Sequence, residues 1–364
     1  MPKVIVGMSG GVDSSVTAYL LKQQGFEVEG VSFILWEARS RTDFTACCSL
    51  EATSSAAETA ESLGIRHFSV DVRGEFIEKV IEPFAEAYVK GMTPNPCILC
   101  NRHVKFPVLL REAEKRGADY IATGHYARVV RPVDAGSNGP MLLKGLDPKK
   151  DQSYVLYALK RKELDRLLLP LGDYKKSGVR EIARSLKLPS ADRPESQEIC
   201  FIEDGNYHGF IEKLSPEACR PGPVMDMRGR QIGTHKGIFR YTVGQRKGLG
   251  ISSLLPRYVA RIDTLKNAVY VGSQDDAKIA EISVGNLNWI MPPASCRFSA
   301  TVKIRSMMEA RPADIELEGD KAKVVFDEPQ LAPAPGQSAV FYNDDAVLGG
   351  GVIESCVYPD HAGA

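Results

Sequence analysis

The chain has 364 residues, 43% apolar and 25% charged, the profile of an ordinary globular protein with two or three domains. Lys plus Arg and Asp plus Glu both number 46, so net charge gives no reason to expect nucleic-acid binding, and any basic surface must come from local segregation. The N-terminus lacks the pattern of a signal peptide and no apolar run approaches the roughly 20 residues that span a bilayer, so a cytoplasmic, reducing setting is expected, with the eight cysteines as thiols, ligands or catalysts rather than a disulfide framework.

Strand and helix signals alternate over the first 125 or so residues. Lys3–Met8 is a short apolar run closed by Ser-Gly-Gly. Val12, Val16, Tyr19 and Leu20 then recur on one helical face, which ends at Gly25. Val28–Leu35 reads as a strand. Ala52, Ala56, Ala60 and Leu63 mark a helix that stops at Gly64, and His67–Val72 reads as a third strand. Phe76–Val89 is helical, with a kink expected at Pro83. Leu109–Lys115 is a helix, and Tyr120–Thr123 a strand that runs into GHYA. This alternation predicts an α/β fold with a parallel, doubly wound sheet, whose ligands sit at the carboxyl ends of the strands. AGSNGP (135–140) reads as a loop. Residues 221–250 are rich in glycine and basic residues. Beyond about 280, short alternating runs with turn signals suit an antiparallel sheet or barrel.

Two stretches fall at strand ends, SGGVDS (9–14) and GHYA (124–127). Gly10 and Gly11 let backbone approach an anion, the first helical turn points N–H groups at it, and Ser9, Ser14 and Ser15 add hydroxyls. Asp13 would repel a phosphate unless a cation lay between them, and Mg²⁺ is assigned that place. The lysine of a Walker A loop is missing. SGGVDS resembles the loop of the PP-loop ATP pyrophosphatases, which implies cleavage of ATP between its α- and β-phosphates and adenylation of an acceptor oxygen.

Three further stretches choose the acceptor: TPNPCILCN (93–101), GLDPKKDQSYVL (145–156) and ESQEICFI (195–202). With SGGVDS and GHYA, and followed by GNYHGFIEKL, RYTVGQRKGLGI and PGQSAVFY, they closely resemble the bacterial tRNA-specific 2-thiouridylases over nearly the whole chain. The resemblance implies a PP-loop domain (1–205), a small central tRNA-binding domain (206–275) and a C-terminal β-barrel (276–364). It implies ATP held by Gly7, Met8, Ser9, Gly10, Gly11, Val12, Asp13 and Ser14, by Phe33 at the adenine and by Gly124. It places Asn95, Pro96 and Cys97 at the target base, and His125, Lys150, Asp151, Gln152, Arg305 and Gln337 at the tRNA. Ser306 follows Arg305 where the family usually has Tyr. The implied partners are a tRNA with a wobble uridine and a persulfide donor or relay protein; a monomer is expected.

Thiolating a carbonyl needs a leaving group, supplied by adenylation, and a sulfur nucleophile; a cysteine persulfide is a suitable carrier. By resemblance Cys200 carries it and Cys100 attacks it, leaving a Cys100–Cys200 disulfide. Cys219, Cys296 and Cys356 read as core packing, and a structural role is preferred for Cys47 and Cys48. Position 97 holds Cys where the family commonly has Asp. Three readings stay open: Cys97, Cys100 and Cys200 hold a [4Fe-4S] cluster, Cys97 is an extra thiol beside persulfide chemistry, or, less favoured, the group holds a structural Zn²⁺ that would want a fourth ligand such as His103. Residues 227–250 carry six Lys or Arg and no acid, interleaved with Phe239 and Tyr241, a composition that suits RNA. The competing functions are another PP-loop ligase or amidotransferase and a redox- or iron-sensing RNA-binding regulator.

Overall fold

The computed structural model describes residues 1–36, 50–131, 139–191, 199–202, 205–251 and 253–358, the side chains of 50–52 excepted. The expectations for Cys47 and Cys48, for most of AGSNGP and for 195–198 lie outside these residues. The chain forms two compact units, Met1–Ile81 with Pro96–Gly205 and Asp345–Val347, and Glu82–Asn95 with Asn206–Asp344 and Leu348–Ala364.

In the first unit the alternating pattern produces β1 (Lys3–Gly7), α1 (Val12–Gln23), β2 (Glu27–Ile34), α2 (Leu50–Leu63), β3 (Arg66–Asp71) and β4 (Tyr120–Ala122). These strands and Leu167–Leu168 make a five-stranded sheet, ordered β3-β2-β1-β4 and then Leu167–Leu168, with every pair parallel. Strand order reverses between β1 and β4, which opens a crevice at their carboxyl ends. SGGVDS leaves β1 and TGHYA leaves β4, so the two loops flank it.

Helix α1 corrects the expectation of a single apolar stripe. Val12, Val16, Ala18 and Leu21 are buried, but so are Ser14, Ser15 and Thr17. Their hydroxyls bond back to the helix, Ser14 and Ser15 to the Gly11 carbonyl and Thr17 to that of Asp13. Small polar groups satisfied in this way are cheap to bury, so α1 packs on both sides. One side meets Val4, Val6, Ala56 and Ala60, and the other meets Leu171, Val179 and Ala183.

The expected helix around 76–89 is present but changes form. A π-helical turn, Ile77–Ile81, interrupts it and Glu82–Val89 resumes it. Pro83 has no N–H and cannot accept a normal α-turn, so the distortion falls just before it.

The second unit carries two β layers. Tyr258–Asp263, Ala268–Gly272, Gly222–Asp226 and Gln231–His235 form a four-stranded sheet in that spatial order. Six strands from Lys278–Trp289 to Ala346–Val357 form an antiparallel barrel, closed by pairing of the first with the last. Its interior holds Ile279, Ile282, Val302, Ile315, Val324, Phe341 and Ile353. Gly319 and Asp320 make a two-residue hairpin, with Gly319 at φ 65°.

Candidate active site

The phosphate loop begins where β1 ends. Gly10 has φ 72°, a left-handed conformation that glycine adopts without strain. Gly11 is the N-cap of α1 and brings no side chain to cap it, so the first-turn N–H groups face the loop as an anion site. Ser14 Oγ receives the Ser9 N–H at 3.2 Å and lies 3.5 Å from Ser9 Oγ, which holds the loop closed over the helix end. The side chains of Met8 and Val12 are buried in the core. Phe33 is half-buried near the end of β2, in register with Val70 of β3.

Gly124 lies against the start of α1. A Cβ there would sit 2.8 Å from the Asp13 carbonyl carbon and 2.9 Å from Ser14 N. Only glycine lets the TGHYA loop approach the phosphate loop this closely.

Asp13 is engaged by two side chains of this chain. The cation beside it is a lysine of this chain. Lys176 Nζ lies 2.6 and 2.7 Å from its two carboxylate oxygens, and the Tyr126 hydroxyl donates to Oδ1 at 2.6 Å. The Asp13 side chain stays 35% exposed, so Lys176 and Tyr126 engage the carboxylate without enclosing it. Neither partner stands out in the sequence. Lys176 opens the helix Lys176–Ser185, 163 residues from Asp13, in a segment with no recognisable motif. Tyr126, in the GHYA already singled out, carries a buried hydroxyl, a signal that needs a partner.

The cysteines group at the start of another helical run. Pro96 opens the short helix Pro96–Cys100, as proline does well at a helix start. A π-helical turn, Asn101–Lys105, follows, then the helix Phe106–Lys115. The Asn101 amide donates to the Val155 carbonyl at 3.0 Å and anchors the turn. Burial pushes the Cys100 thiol up to about 12, against the opposing pull of the Lys105 cation, while Cys97 and Cys200 add to the rise. Cys97 is exposed; desolvation by its surroundings, and then Cys200, raise its thiol. The three thiols are thus electrostatic neighbours. Phe201 packs edge-on against Phe76 at 5.7 Å and fixes the chain beside Cys200.

Among the described residues no three His, Cys, Asp or Glu side chains gather closely enough to hold a metal ion. Outside the three thiols, Cys356 packs against the barrel core as expected, whereas Cys219 and Cys296 are exposed and do no core packing.

His125 follows Gly124. Its Nδ1 lies 2.7 Å from Thr123 Oγ1 and its ring stacks on Phe106 at 5.9 Å. Desolvation, then the nearby Lys105 charge, holds its pKa well below the usual histidine value, so the ring is neutral.

The residues expected at tRNA are largely occupied with protein. Asp151 accepts the N–H groups of Gly145 and Ser153 at 3.0 and 3.1 Å. Gln152 receives the Tyr126 N–H on its side chain at 3.0 Å and donates its own N–H to the Tyr126 carbonyl at 2.8 Å. Lys150 is half-buried in the same turn. In the second unit, Arg305 Nη2 donates to the carbonyls of Val243 and Ala332, and Gln337 Nε2 donates to that of Thr93 at 2.8 Å, just before half-buried Asn95. Phe239 and Tyr241 are buried core residues, not stacking platforms. Arg240 pairs with Glu212, while Arg246 and Lys247 are exposed.

Three family models match in series: tRNA methyl transferase HUP domain over 2–204, tRNA methyl transferase PRC-barrel domain over 208–273, and Aminomethyltransferase beta-barrel domain over 279–353. The tRNA-specific 2-thiouridylase MnmA 2 of Thermoanaerobacter sp. (strain X514) is 49% identical, over 97% of this chain and 98% of its own length. The chain belongs to the tRNA-specific 2-thiouridylase family. Another member, MnmA 1 of Caldanaerobacter subterraneus subsp. tengcongensis, is 49% identical over 98% of both chains, and MnmA of Carboxydothermus hydrogenoformans 48% identical over 97% of both. Among the described residues, no helix of this family member is long and apolar enough to cross a membrane.

Proposed function

We propose that this chain is an ATP-dependent tRNA sulfurtransferase that replaces the 2-oxygen of a wobble uridine by sulfur. The observation that carries the reading is the pairing, in one unit, of an uncapped phosphate loop at the sheet's crevice with three neighbouring thiols. The α1 N-terminus and Gly10–Gly11 hold the triphosphate. Uridine O2 attacks the α-phosphorus, an O–P bond forms, and the bond to pyrophosphate breaks. Mg²⁺ accompanying ATP would neutralise phosphate charge at this loop, with Asp13 the residue that would hold it.

The sulfur step uses two thiols. Cys200 holds a hydropersulfide from a donor protein. The Cys100 thiolate attacks the Cys200 sulfur, the S–S bond breaks, and hydrosulfide is released. Hydrosulfide adds to C2 of the adenylated uridine, AMP leaves with the oxygen, and a proton is lost. The Cys100–Cys200 disulfide that remains needs a thiol reductant before the next turnover. Lys105 is the cation that favours ionisation of Cys100. Cys97 is a third thiol beside the pair. The flipped base is assigned to neutral His125 and to Pro96; Asn95, Lys150, Asp151, Gln152, Arg305 and Gln337 belong to tRNA-facing segments. Residues 1–205 then do the chemistry, while 206–275 and 276–364 hold tRNA.

The test is incubation of purified protein with ATP, tRNA and a persulfide donor, with AMP and 2-thiouridine measured together. AMP and 2-thiouridine formed in step support the reading. AMP formation without tRNA dependence, or glutamine-dependent amidation, would replace it by a ligase.

A further inference from the structure

Asp13, at the phosphate loop, is joined to the 145–153 turn by two short routes. The first runs through Tyr126. Its hydroxyl donates to Asp13 Oδ1 at 2.6 Å, and its backbone exchanges two hydrogen bonds with Gln152, at 3.0 and 2.8 Å. The second runs through Lys176. Its ammonium holds both Asp13 oxygens, and its backbone N–H donates to Asp147 Oδ2 at 3.0 Å. Asp147 in turn accepts the Lys149 N–H at 3.1 Å, and its carbonyl accepts the Lys150 N–H at 3.0 Å. Both routes therefore end on the segment that carries Lys150, Asp151 and Gln152.

The parts between are packed too tightly to move independently. A Cβ at Gly145 would fall 2.8 Å from the Tyr126 carbonyl oxygen, and one at Gly172 would overlap the Ala127 carbonyl. Leu146 donates to the Gly172 carbonyl at 2.8 Å. Backbone in direct contact with backbone passes on a displacement rather than absorbing it.

We propose that Asp13, Tyr126 and Lys176 couple nucleotide binding to tRNA binding. A triphosphate on the first turn of α1 gives the Lys176 ammonium a second anion beside Asp13. Held from both sides, Lys176 fixes the start of its helix and, through Asp147, the 147–152 turn in its tRNA-holding form. Tyr126, clamped between Asp13 and Gln152, does the same for the other end of the turn. ATP bound first then makes tRNA bind tighter, and linkage requires tRNA to tighten ATP by the same factor. The inference rests on the functional reading above, which puts ATP on the loop and tRNA on the turn.

The experiment measures the affinity of an unmodified wobble-uridine tRNA transcript with and without saturating α,β-methylene ATP. It is done for the intact chain, for Tyr126→Phe, which removes only the hydroxyl, and for Lys176→Met. The expected result is a tightening of about fivefold or more in the intact chain, reduced to less than twofold in each variant. Tyr126→Phe keeps the ring in its core position, so it stands as the test if Lys176→Met fails to fold. Independent binding of the two ligands to the intact chain overturns the coupling. Coupling that survives in both variants overturns the route assigned here. If the intact chain binds neither ligand, the functional reading falls and this inference falls with it.

Discussion

At the scale of single residues, the thiols set the most specific expectations. Burial holds the Cys100 proton on, so the folded state binds it more tightly than the unfolded chain does. That contribution to stability is present below about pH 8.5 and is lost as pH rises toward about 12. The same shift protects Cys100 from electrophiles, because the thiolate is the reactive form. Iodoacetamide at pH 7.5 should label exposed Cys219 and Cys296 at least about 100-fold faster than Cys100, with Cys100 labelling rising about tenfold per pH unit up to pH 9. Peptide mass spectrometry follows all three, and equal rates would contradict the burial argument. That Cys100 and Cys200 lie near one another was legible in the dense motifs around each. Lys176 was not, because a lysine at the start of a helix carries no sequence mark and its meaning comes from a contact across the fold. The charge logic pointed to a cation between Asp13 and a phosphate; it held no trace of the Lys176 contact.

At the scale of elements, the two loops that flank the crevice depend on one missing side chain. Gly124→Ala would place a methyl 2.8 Å from the Asp13 carbonyl carbon. Either the TGHYA loop or α1 must shift, at a cost of about 1–3 kcal/mol. The expected outcome is a lower melting temperature and at least about tenfold weaker ATP binding by calorimetry, in line with a distorted anion site. Unchanged ATP affinity would show that the approach of the loops does not shape the site. A second element rests on the barrel. Thr93 donates its N–H to the Pro335 carbonyl at 2.7 Å and receives Gln337 on its own carbonyl. Gln337→Ala should cost about 1 kcal/mol and speed amide exchange over 92–95, read by hydrogen exchange; unchanged protection would sink it. The parallel sheet was readable from alternation of apolar runs with helical periodicity, and the barrel from its turns. The burial of α1 on both sides was not, since Ser14, Ser15 and Thr17 look polar until their hydroxyls are seen to turn back on the helix. The buried state of Phe239 and Tyr241 was hidden for the opposite reason: flanked by arginines and glycines, they mimic an RNA-binding surface while packing a core.

At the scale of the whole molecule, a chain with 46 basic and 46 acidic residues must bind a polyanion through local charge. Arg240 is spent on Glu212, which leaves exposed Arg246 and Lys247 as the residues of that stretch to test. Arg246→Gln with Lys247→Gln should weaken tRNA binding and lower the slope of log affinity against log salt by about 0.7–0.9 per lost phosphate contact. An unchanged slope would assign the stretch to solvent. The central claim is that sulfur passes through Cys200 and Cys100 onto an adenylated uridine. It is tested most directly by one single-turnover measurement, made on anaerobic, iron-free, persulfide-loaded protein with ATP and tRNA, counting AMP and 2-thiouridine. The account predicts one AMP per 2-thiouridine in the intact chain, and no 2-thiouridine from Cys200→Ser although that variant still binds ATP. Full thiolation by Cys200→Ser, or activity that appears only when iron is restored, would contradict it.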